Sequence, residues 1–173
     1  DDENLSVEKG FYNLFADLKP IIYETLQELS SKYATHNVLS TGHSLGGALA
    51  TLFAFDNYYS NEQYNVIALM TFGSPRIGNH NFVTKFANYN MYSKRITHYY
   101  DMVPHVPQNL LHYYHIPNEV WYNENNDEYK ICHDSDSPYN EYSKCSDSCS
   151  PTHCTSTSDH LYYLNVTMGS GGC

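Results

Sequence analysis

Basic side chains are scarce in this sequence, and that shortage narrows the partners the protein can have. Nine lysines and arginines stand against nineteen aspartates and glutamates, a formal net charge of −10 with histidine neutral. A surface of that sign repels phosphate backbones and anionic lipid headgroups. We therefore expect no nucleic-acid partner, and we expect any contact with lipid to be made by apolar surface.

Long apolar runs are missing as well. No uninterrupted stretch approaches the roughly 20 residues that a membrane-spanning helix needs, so no transmembrane segment is expected. The chain opens on Asp1-Asp2-Glu3 without the basic and apolar regions of a signal peptide, so a leader is predicted to be absent or already removed. The sequence shows neither internal repeats nor a linker, and its length suits one domain over residues 1–173.

Cysteine is absent from the first 131 residues, and all five cysteines lie in the C-terminal third. Most of them fall in a stretch rich in serine, aspartate and threonine, which favours disulfides in an oxidising compartment. The disulfide candidates are Cys132, Cys145, Cys149 and Cys154. Zinc binding is a less favoured alternative, because the spacing contains no C-x-x-C pair. Acceptor triplets make Asn4 and Asn165 glycosylation candidates, and we expect a secreted or lumenal protein.

The hydrophobic pattern alternates between helical and extended periods, which is typical of an α/β sheet with flanking helices. An apolar stripe of helical spacing runs over 11–33, and Pro20 is expected to kink or restart that helix. Strands are predicted over 37–41, 66–72 and 95–100, followed by two shorter strands near 116–122 and 129–133.

The segment Gly42-His43-Ser44-Leu45-Gly46 lies between a predicted strand and a predicted helix. This context fits the nucleophile elbow G-x-S-x-G, in which a strained turn lifts the serine hydroxyl above the sheet. Small residues two positions either side of the serine would let the backbone pass closely. The first amides of the following helix would face an oxyanion formed at Ser44.

A serine nucleophile needs a base, and the base needs an orienting acid. Asp101 follows the predicted strand 95–100, where its carboxylate would emerge on the Ser44 side; an ordinary turn aspartate is the alternative. Six histidines follow Asp101, and spacing alone leaves the choice open. Only His160 precedes an apolar stretch, 161–164, that would anchor it. His112 and His115 lack a carboxylate to complete a metal set and are predicted as loop or surface histidines.

The chain resembles the class 3 lipases, a family that includes secreted fungal triacylglycerol lipases with the α/β-hydrolase fold. Five motifs carry the resemblance along nearly the whole chain: VEKGF at 7–11, TGHSLGGA at 41–48, TFGSPRIG at 71–78, DMVPHVP at 101–107 and DHLYY at 159–163.

The resemblance implies a Ser44–His160–Asp101 triad and an oxyanion hole that includes the Leu45 amide. It also places Pro75, Val103 and Leu161 at an acyl pocket. No cofactor and no metal are expected. The function implied is hydrolysis of acylglycerol esters at a lipid–water interface through an acyl-enzyme.

The chain departs from the family at its start, because the family's first strands, its lid and its second oxyanion donor have no counterpart. We therefore expect the C-terminal portion of a longer domain, with its own N-terminal fragment as a possible partner and strand 37–41 as an exposed edge. The resemblance implies that Cys173 pairs with that missing segment. Two alternatives stay open: a catalytically silent lipid-binding or structural remnant, and, less favoured, a serine peptidase.

Overall fold

The structure, a computed structural model, describes residues 4–61, 63–132, 142–149 and 152–169. Its helices and strands in chain order are α1 Lys9–Tyr33, β1 Asn37–His43, α2 Leu45–Asp56, β2 Asn65–Phe72, α3 His80–Ala87, β3 Ser93–His98, β4 Glu119–Tyr122, β5 Tyr129–Ile131, α4 Thr157–His160, β6 Tyr162–Tyr163 and β7 Val166–Thr167. A π-helical turn, Asn57–Asn61, follows α2, and three 3₁₀ turns cover Val103–His105, Asn109–Leu111 and Ser146–Ser148.

A five-stranded sheet in the order β1-β2-β3-β4-β5 organises the molecule. Strands β1 to β4 are parallel, and β5 joins β4 antiparallel. The predicted α/β-hydrolase sheet with flanking helices is thereby confirmed. Because parallel strands end at one edge, the residues that follow β1, β2 and β3 meet at the carboxyl end of the sheet.

The hydrophobic core lies between the sheet and helices α2 and α3. Its fully buried members include Ala48 and Leu52 of α2, Leu69 of β2, and Phe82 and Val83 of α3. This packing fixes α2 across the strands that precede and follow it in sequence, and so fixes the turn between β1 and α2.

Helix α1 runs without interruption through Pro20, so the expected restart at this proline does not occur. The Glu8 side chain caps the helix by accepting a hydrogen bond from Phe11 N at 2.9 Å. Only Phe15 of this helix is buried, whereas Leu18 and Leu29 stay 36% and 41% exposed. The apolar stripe of α1 is therefore only partly used by the described part of the chain.

Strand β1 lies at an edge of the sheet, as expected, and leaves Leu39 54% exposed. Beside it lies a cavity of about 310 Å³ between α1, α2 and β1, which we call the β1 groove. The groove is lined by apolar side chains of all three elements, including Leu18, Ile22, Leu26, Val38, Leu39, Leu49 and Phe53. None of the described helices combines the length and the hydropathy that crossing a bilayer requires.

Candidate active site

Ser44 occupies the single residue between β1 and α2. Its backbone adopts φ 55° and ψ −127°, a conformation that side-chain-bearing residues rarely take. A hydrogen bond from Ser44 N to the carbonyl oxygen of Phe72, at 2.9 Å, ties this turn to the end of β2. The strained backbone thus projects the hydroxyl from the carboxyl end of the sheet, the geometry of a nucleophile elbow.

The two glycines that flank Ser44 have different roles. A Cβ atom on Gly42 would collide with the backbone carbonyl of Gly46, so Gly42 must lack a side chain. A Cβ atom on Gly46 would meet no atom within 4 Å. The expectation that both neighbours must be small for the backbone to pass closely is therefore correct for Gly42 and wrong for Gly46 in the described structure. Gly46 instead lines the β1 groove.

Asp101 is 2% exposed and lies three residues beyond the end of β3. The strand begins and ends two residues earlier than the predicted 95–100, and the intervening turn passes through Tyr99 at φ 33°. The Oδ1 atom of Asp101 accepts a hydrogen bond from Val103 N at 2.8 Å. Backbone bonds from Met102 N to Ser156 O and from Ser156 N to Tyr100 O fasten this loop to the segment that carries His160.

His160 is the last residue of α4, a short helix capped by the Ser156 hydroxyl, which accepts a bond from Asp159 N. Its Nδ1 lies 2.9 Å from Asp101 Oδ2, and its Nε2 lies 2.8 Å from Ser44 Oγ. A carboxylate only accepts hydrogen bonds, so Nδ1 carries the proton and Nε2 is free to accept the serine proton. The structure therefore brings the three predicted side chains into one hydrogen-bonded chain.

The predicted anchor of His160 differs in detail from what the structure shows. In the apolar stretch 161–164, Leu161 and Leu164 remain 45% and 39% exposed, and only Tyr163 is fully buried. Tyr163 OH donates to Asp101 Oδ2 at 2.5 Å. A single buried tyrosine, rather than an apolar segment, holds the chain beside His160.

Besides Tyr163, two further residues lie against this cluster, His43 and Gly73, and none of the three was singled out from the sequence. The His43 ring packs on the His160 ring with centroids 4.4 Å apart, and its Nε2 lies 2.7 Å from the carbonyl oxygen of His160. Burial is the main cause that lowers the pKa of His43. A Cβ atom on Gly73, which has φ 54°, would lie 2.6 Å from Asp101 Oδ2 and 2.9 Å from Tyr163 OH. Each of the three residues lies inside a quoted motif, which is the only sequence signal they give.

Of the predicted pocket and oxyanion residues, Leu45 and Leu161 adjoin Ser44 and His160 in sequence, and Val103 N donates to Asp101 Oδ1. Leu45 is the first residue of α2, where backbone amides have no acceptor within the helix. Pro75 is buried, Val103 is half-buried and Leu161 is exposed. Their roles in substrate binding stay predictions.

Of the two predicted settings, loop or surface, only the loop is correct for His115. It lies in a loop but is only 4% exposed, and its Nε2 lies 2.7 Å from the carbonyl oxygen of Pro104. Burial, followed by the charges of Arg95 and Arg76, holds the pKa of His115 well below its ordinary value. His112, by contrast, is exposed. The two side chains do not form a pair because one supports the Asp101 loop from inside.

The described cysteines form two disulfides, Cys132–Cys145 and Cys149–Cys154. Each disulfide has one further side chain of ligand type nearby: Glu119 beside the first and His105 beside the second. A disulfide sulfur supplies no thiolate for a metal, so neither group suits an ion while the cysteines are oxidised. Cys173 lies outside the described residues.

The fold and the site define an α/β-hydrolase with a serine nucleophile elbow. The chain belongs to the class 3 lipase family, since the family model described as Lipase (class 3) matches residues 1–111.

Individual relatives agree with this membership. The chain is 33% identical over 166 residues to a lipase of Rhizomucor miehei, covering 94% of this chain and 44% of the relative. It is 32% identical over 115 residues to secreted mono- and diacylglycerol lipase 1 of Fusarium solani, covering 66% of this chain and 34% of the relative. The solved structure of lipase II from Rhizopus niveus matches with a TM-score of 0.86 at 30% identity, covering 97% of this chain and 62% of that chain. The chain thus spans less than half the length of these two curated relatives.

Proposed function

We propose that this protein is a serine ester hydrolase that cleaves acylglycerol lipids. The observation that carries the proposal is the hydrogen-bonded chain from Ser44 Oγ through His160 to Asp101, with distances of 2.8 and 2.9 Å. The strained backbone at Ser44 supports it, because a structural serine has no need of that conformation. Relatives described as lipases, one of them acting on mono- and diacylglycerols, supply the substrate class.

The proposed first step is acylation. The Ser44 hydroxyl attacks the ester carbonyl while His160 Nε2 takes its proton, and the resulting tetrahedral oxyanion faces the Leu45 amide. The proton on Nε2 then passes to the leaving alcohol, which departs as the acyl-oxygen bond breaks. Asp101 keeps Nδ1 protonated and stabilises the imidazolium in between.

The second step is hydrolysis of the acyl-enzyme. A water molecule gives one proton to His160 Nε2 while its oxygen attacks the acyl carbonyl, and Ser44 leaves with that proton as the fatty acid is released. Every proton moves between groups of the described cluster and substrate or water. The proposed chemistry therefore requires no cofactor.

Residues 1–173 are proposed to be the C-terminal portion of a longer catalytic domain, with an N-terminal fragment as partner. The exposed apolar edge of β1 and the β1 groove support this arrangement, because such an edge offers unpaired backbone groups to a further strand. The same fragment would bring the second oxyanion donor, and one such donor is worth about 2.7–4 kcal/mol of transition-state stabilisation.

A lipid–water interface is the proposed place of action. Apolar side chains are exposed in the loop after Asp101 and next to His160, including Met102, Val106, Leu110, Leu111 and Leu161. Leu110 is 83% exposed, which suits contact with acyl chains better than with water. Pro75, Val103 and Leu161 are proposed to line the acyl site.

Secretion, or residence in a lumenal compartment, is also proposed. It is supported by the two disulfides, which persist in oxidising compartments, and by a relative described as secreted. The side chains of Asn4 and Asn165 are exposed, so both proposed glycosylation sites are accessible.

Labelling with a fluorophosphonate probe tests the proposed enzyme. We expect the full chain to be labelled at Ser44, and we expect at least about a 1,000-fold loss of labelling rate in His160→Ala. Ser44→Ala should abolish labelling and provides the specificity control. Absence of labelling even when the N-terminal fragment is supplied would instead identify a silent lipid-binding or structural remnant.

A further inference from the structure

Tyr163 is buried in the same cluster as the three proposed catalytic side chains. Its exposed fraction is 0%, and its hydroxyl donates to Asp101 Oδ2 at 2.5 Å. The same oxygen accepts a hydrogen bond from His160 Nδ1 at 2.9 Å, whereas Oδ1 accepts one from Val103 N. One carboxylate oxygen is therefore shared by a phenol and the imidazole.

The ring of Tyr163 is held from several sides. It packs edge-on against His43, His98 and Phe72, with ring centroids 5.8, 5.6 and 6.1 Å away. Gly73 lies so close to the hydroxyl that a Cβ atom at this position would be 2.9 Å from Tyr163 OH. The direction of the hydroxyl is thus set by packing and not by free rotation of the side chain.

The phenol is a donor throughout the working range of pH. Burial is the largest cause that raises the pKa of Tyr163 well above its ordinary value, and the negative charge of Asp101 adds to it. A protonated phenol against an acceptor-only carboxylate fixes the direction of the bond. The short distance is typical of a hydrogen bond to a charged acceptor.

We propose that Tyr163 is a positioning residue that acts through Asp101, by holding Oδ2 in place and sharing its negative charge with His160. This inference rests on the proposed hydrolase function. A carboxylate with one donor fewer would bind the imidazolium more tightly and would be freer to rotate. Removing the hydroxyl should therefore slow proton return from the imidazolium and keep His160 protonated to higher pH.

The surroundings allow this effect to be isolated. The His160 ring faces Asp101, Ser44 and the ring of His43, and Tyr163 faces Asp101 with Arg95 as a more distant charge. None of these groups is altered by Tyr163→Phe. The neighbouring Tyr162→Phe is a matched control, because Tyr162 OH contacts Asn165 Oδ1 at 3.1 Å and not the cluster.

The experiment compares the two variants with the parent chain, using a soluble p-nitrophenyl ester and active sites counted by fluorophosphonate. For Tyr163→Phe we expect kcat to fall about tenfold with little change in KM. We also expect the midpoint of the acid limb of the kcat/KM–pH profile to move about half a pH unit higher. For Tyr162→Phe, kcat should stay within about twofold of the parent value, and the midpoint of the acid limb should not move. A lowered Tm with unchanged kcat per active site and an unchanged limb would overturn the proposal.

A second measurement separates this inference from the proposed function. The proton on His160 Nδ1 can be followed by NMR as pH is varied, whether or not the protein turns over an ester. A displaced titration in Tyr163→Phe but not in Tyr162→Phe supports the positioning role, and superimposable titrations refute it. If Tyr163→Phe does not fold, 3-fluorotyrosine at position 163 provides a stronger donor of nearly the same shape. We then expect the midpoint to move to lower pH, and an unmoved midpoint would refute the proposal.

Discussion

The carboxyl end of the sheet and the β1 groove both adjoin strand β1, yet they differ in how far their groups are satisfied. At the carboxyl end, Asp101 is buried and receives bonds from His160, Tyr163 and Val103. At the β1 groove, apolar side chains of α1 and β1 line open space, and Leu39 is 54% exposed. The described residues therefore satisfy the polar groups of the proton-transfer unit, whereas the edge of β1 and the apolar lining of its groove stay open.

This contrast indicates where substitutions should be costly. In the cluster around Asp101, a single added atom meets polar groups whose positions are fixed by several bonds. In the β1 groove, added atoms meet empty space. A change at the carboxyl end or in the β1 groove is therefore best judged against a matched change elsewhere in the chain.

Gly73→Ala should cause the largest loss. The new methyl group would lie 2.6 Å from Asp101 Oδ2 and 3.0 Å from His160 Nδ1, on a residue whose φ of 54° already disfavours a side chain. We expect ester hydrolysis to fall at least about 100-fold, since displacement by about 1 Å at a reacting site costs that much. The assay is kcat/KM with a soluble ester.

Gly169→Ala is the matched control for backbone strain. Gly169 also has a positive φ, of 82°, but a Cβ atom there would meet only Leu161 Cδ2 at 3.6 Å. It should lose some stability and keep most of its activity. Equal loss of activity in the two variants would show that strain, and not contact with the cluster, governs Gly73.

Gly42→Ala and Gly46→Ala place the same methyl group on the two sides of the elbow. Gly42→Ala drives a Cβ atom into the Gly46 carbonyl, so we expect a loss of about 3 kcal/mol or more in the free energy of unfolding. Gly46→Ala should stay within about 0.5 kcal/mol, because its methyl group enters the β1 groove. Urea unfolding followed by the fluorescence of Trp121 measures both.

Adding the proposed N-terminal fragment makes the comparison of these two variants more specific. If the fragment fills the β1 groove, Gly46→Ala should weaken its binding, whereas the isolated chain barely registers the change. Unaltered binding of the fragment would place its contact elsewhere on the molecule.

The fold was largely predictable because its cues are local. The glycines, Ser44 and Ala48 of 42–48 specify a tight turn into a helix, and apolar runs specify the buried strands. The continuity of α1 through Pro20 was not predictable, because helix packing overrides the local preference of one proline. The early end of β3 depends on a turn at Tyr99, whose positive φ has no cue in its residue type.

The meeting of Ser44 and Asp101 could be proposed from strand order, because residues after parallel strands share one edge. His160 could be proposed only from the apolar stretch that follows it and from the family resemblance. The partners of the cluster could not. Tyr163 and Asp101 are 62 residues apart in sequence, and their contact depends on how the α4–β6 segment folds back over the turn after β3. The burial of His115 likewise arises from packing against Pro104, which residue type alone does not reveal.

The dependence of stability on pH separates a buried histidine near Asp101 from an exposed one before β1. His115 has a lowered pKa when folded and regains its ordinary value, near 6.5, when unfolded. The unfolded state therefore binds the extra proton, and stability falls as pH drops below about 6.5, by up to about 1.4 kcal/mol per pH unit for one proton.

In His115→Gln, the free energy of unfolding should fall less steeply below pH 6.5, by the equivalent of about one bound proton. At neutral pH the substitution should lower the free energy of unfolding by roughly 1 kcal/mol. Its amide can still donate to the Pro104 carbonyl. His36→Gln, at an exposed position just before β1, is the matched control. Urea unfolding at pH 7.5 and 5.0 supplies both slopes, and parallel curves for His115→Gln and the parent chain would contradict the assignment.

Leu39→Lys should have the smallest effect on stability and the most specific effect on association. The side chain is 54% exposed on an edge strand, so its replacement should change the free energy of unfolding by no more than about 0.5 kcal/mol. A lysine on an open edge opposes pairing with another strand, so self-association and binding of the proposed N-terminal fragment should both weaken.

Ile21→Lys adds the same charge at a 62% exposed position of α1 and should leave self-association and fragment binding unchanged. Sedimentation velocity with and without the fragment measures the two effects. If both lysine variants weakened association equally, general charge repulsion would explain the result. The proposal that another strand pairs with the edge of β1 would then be refuted.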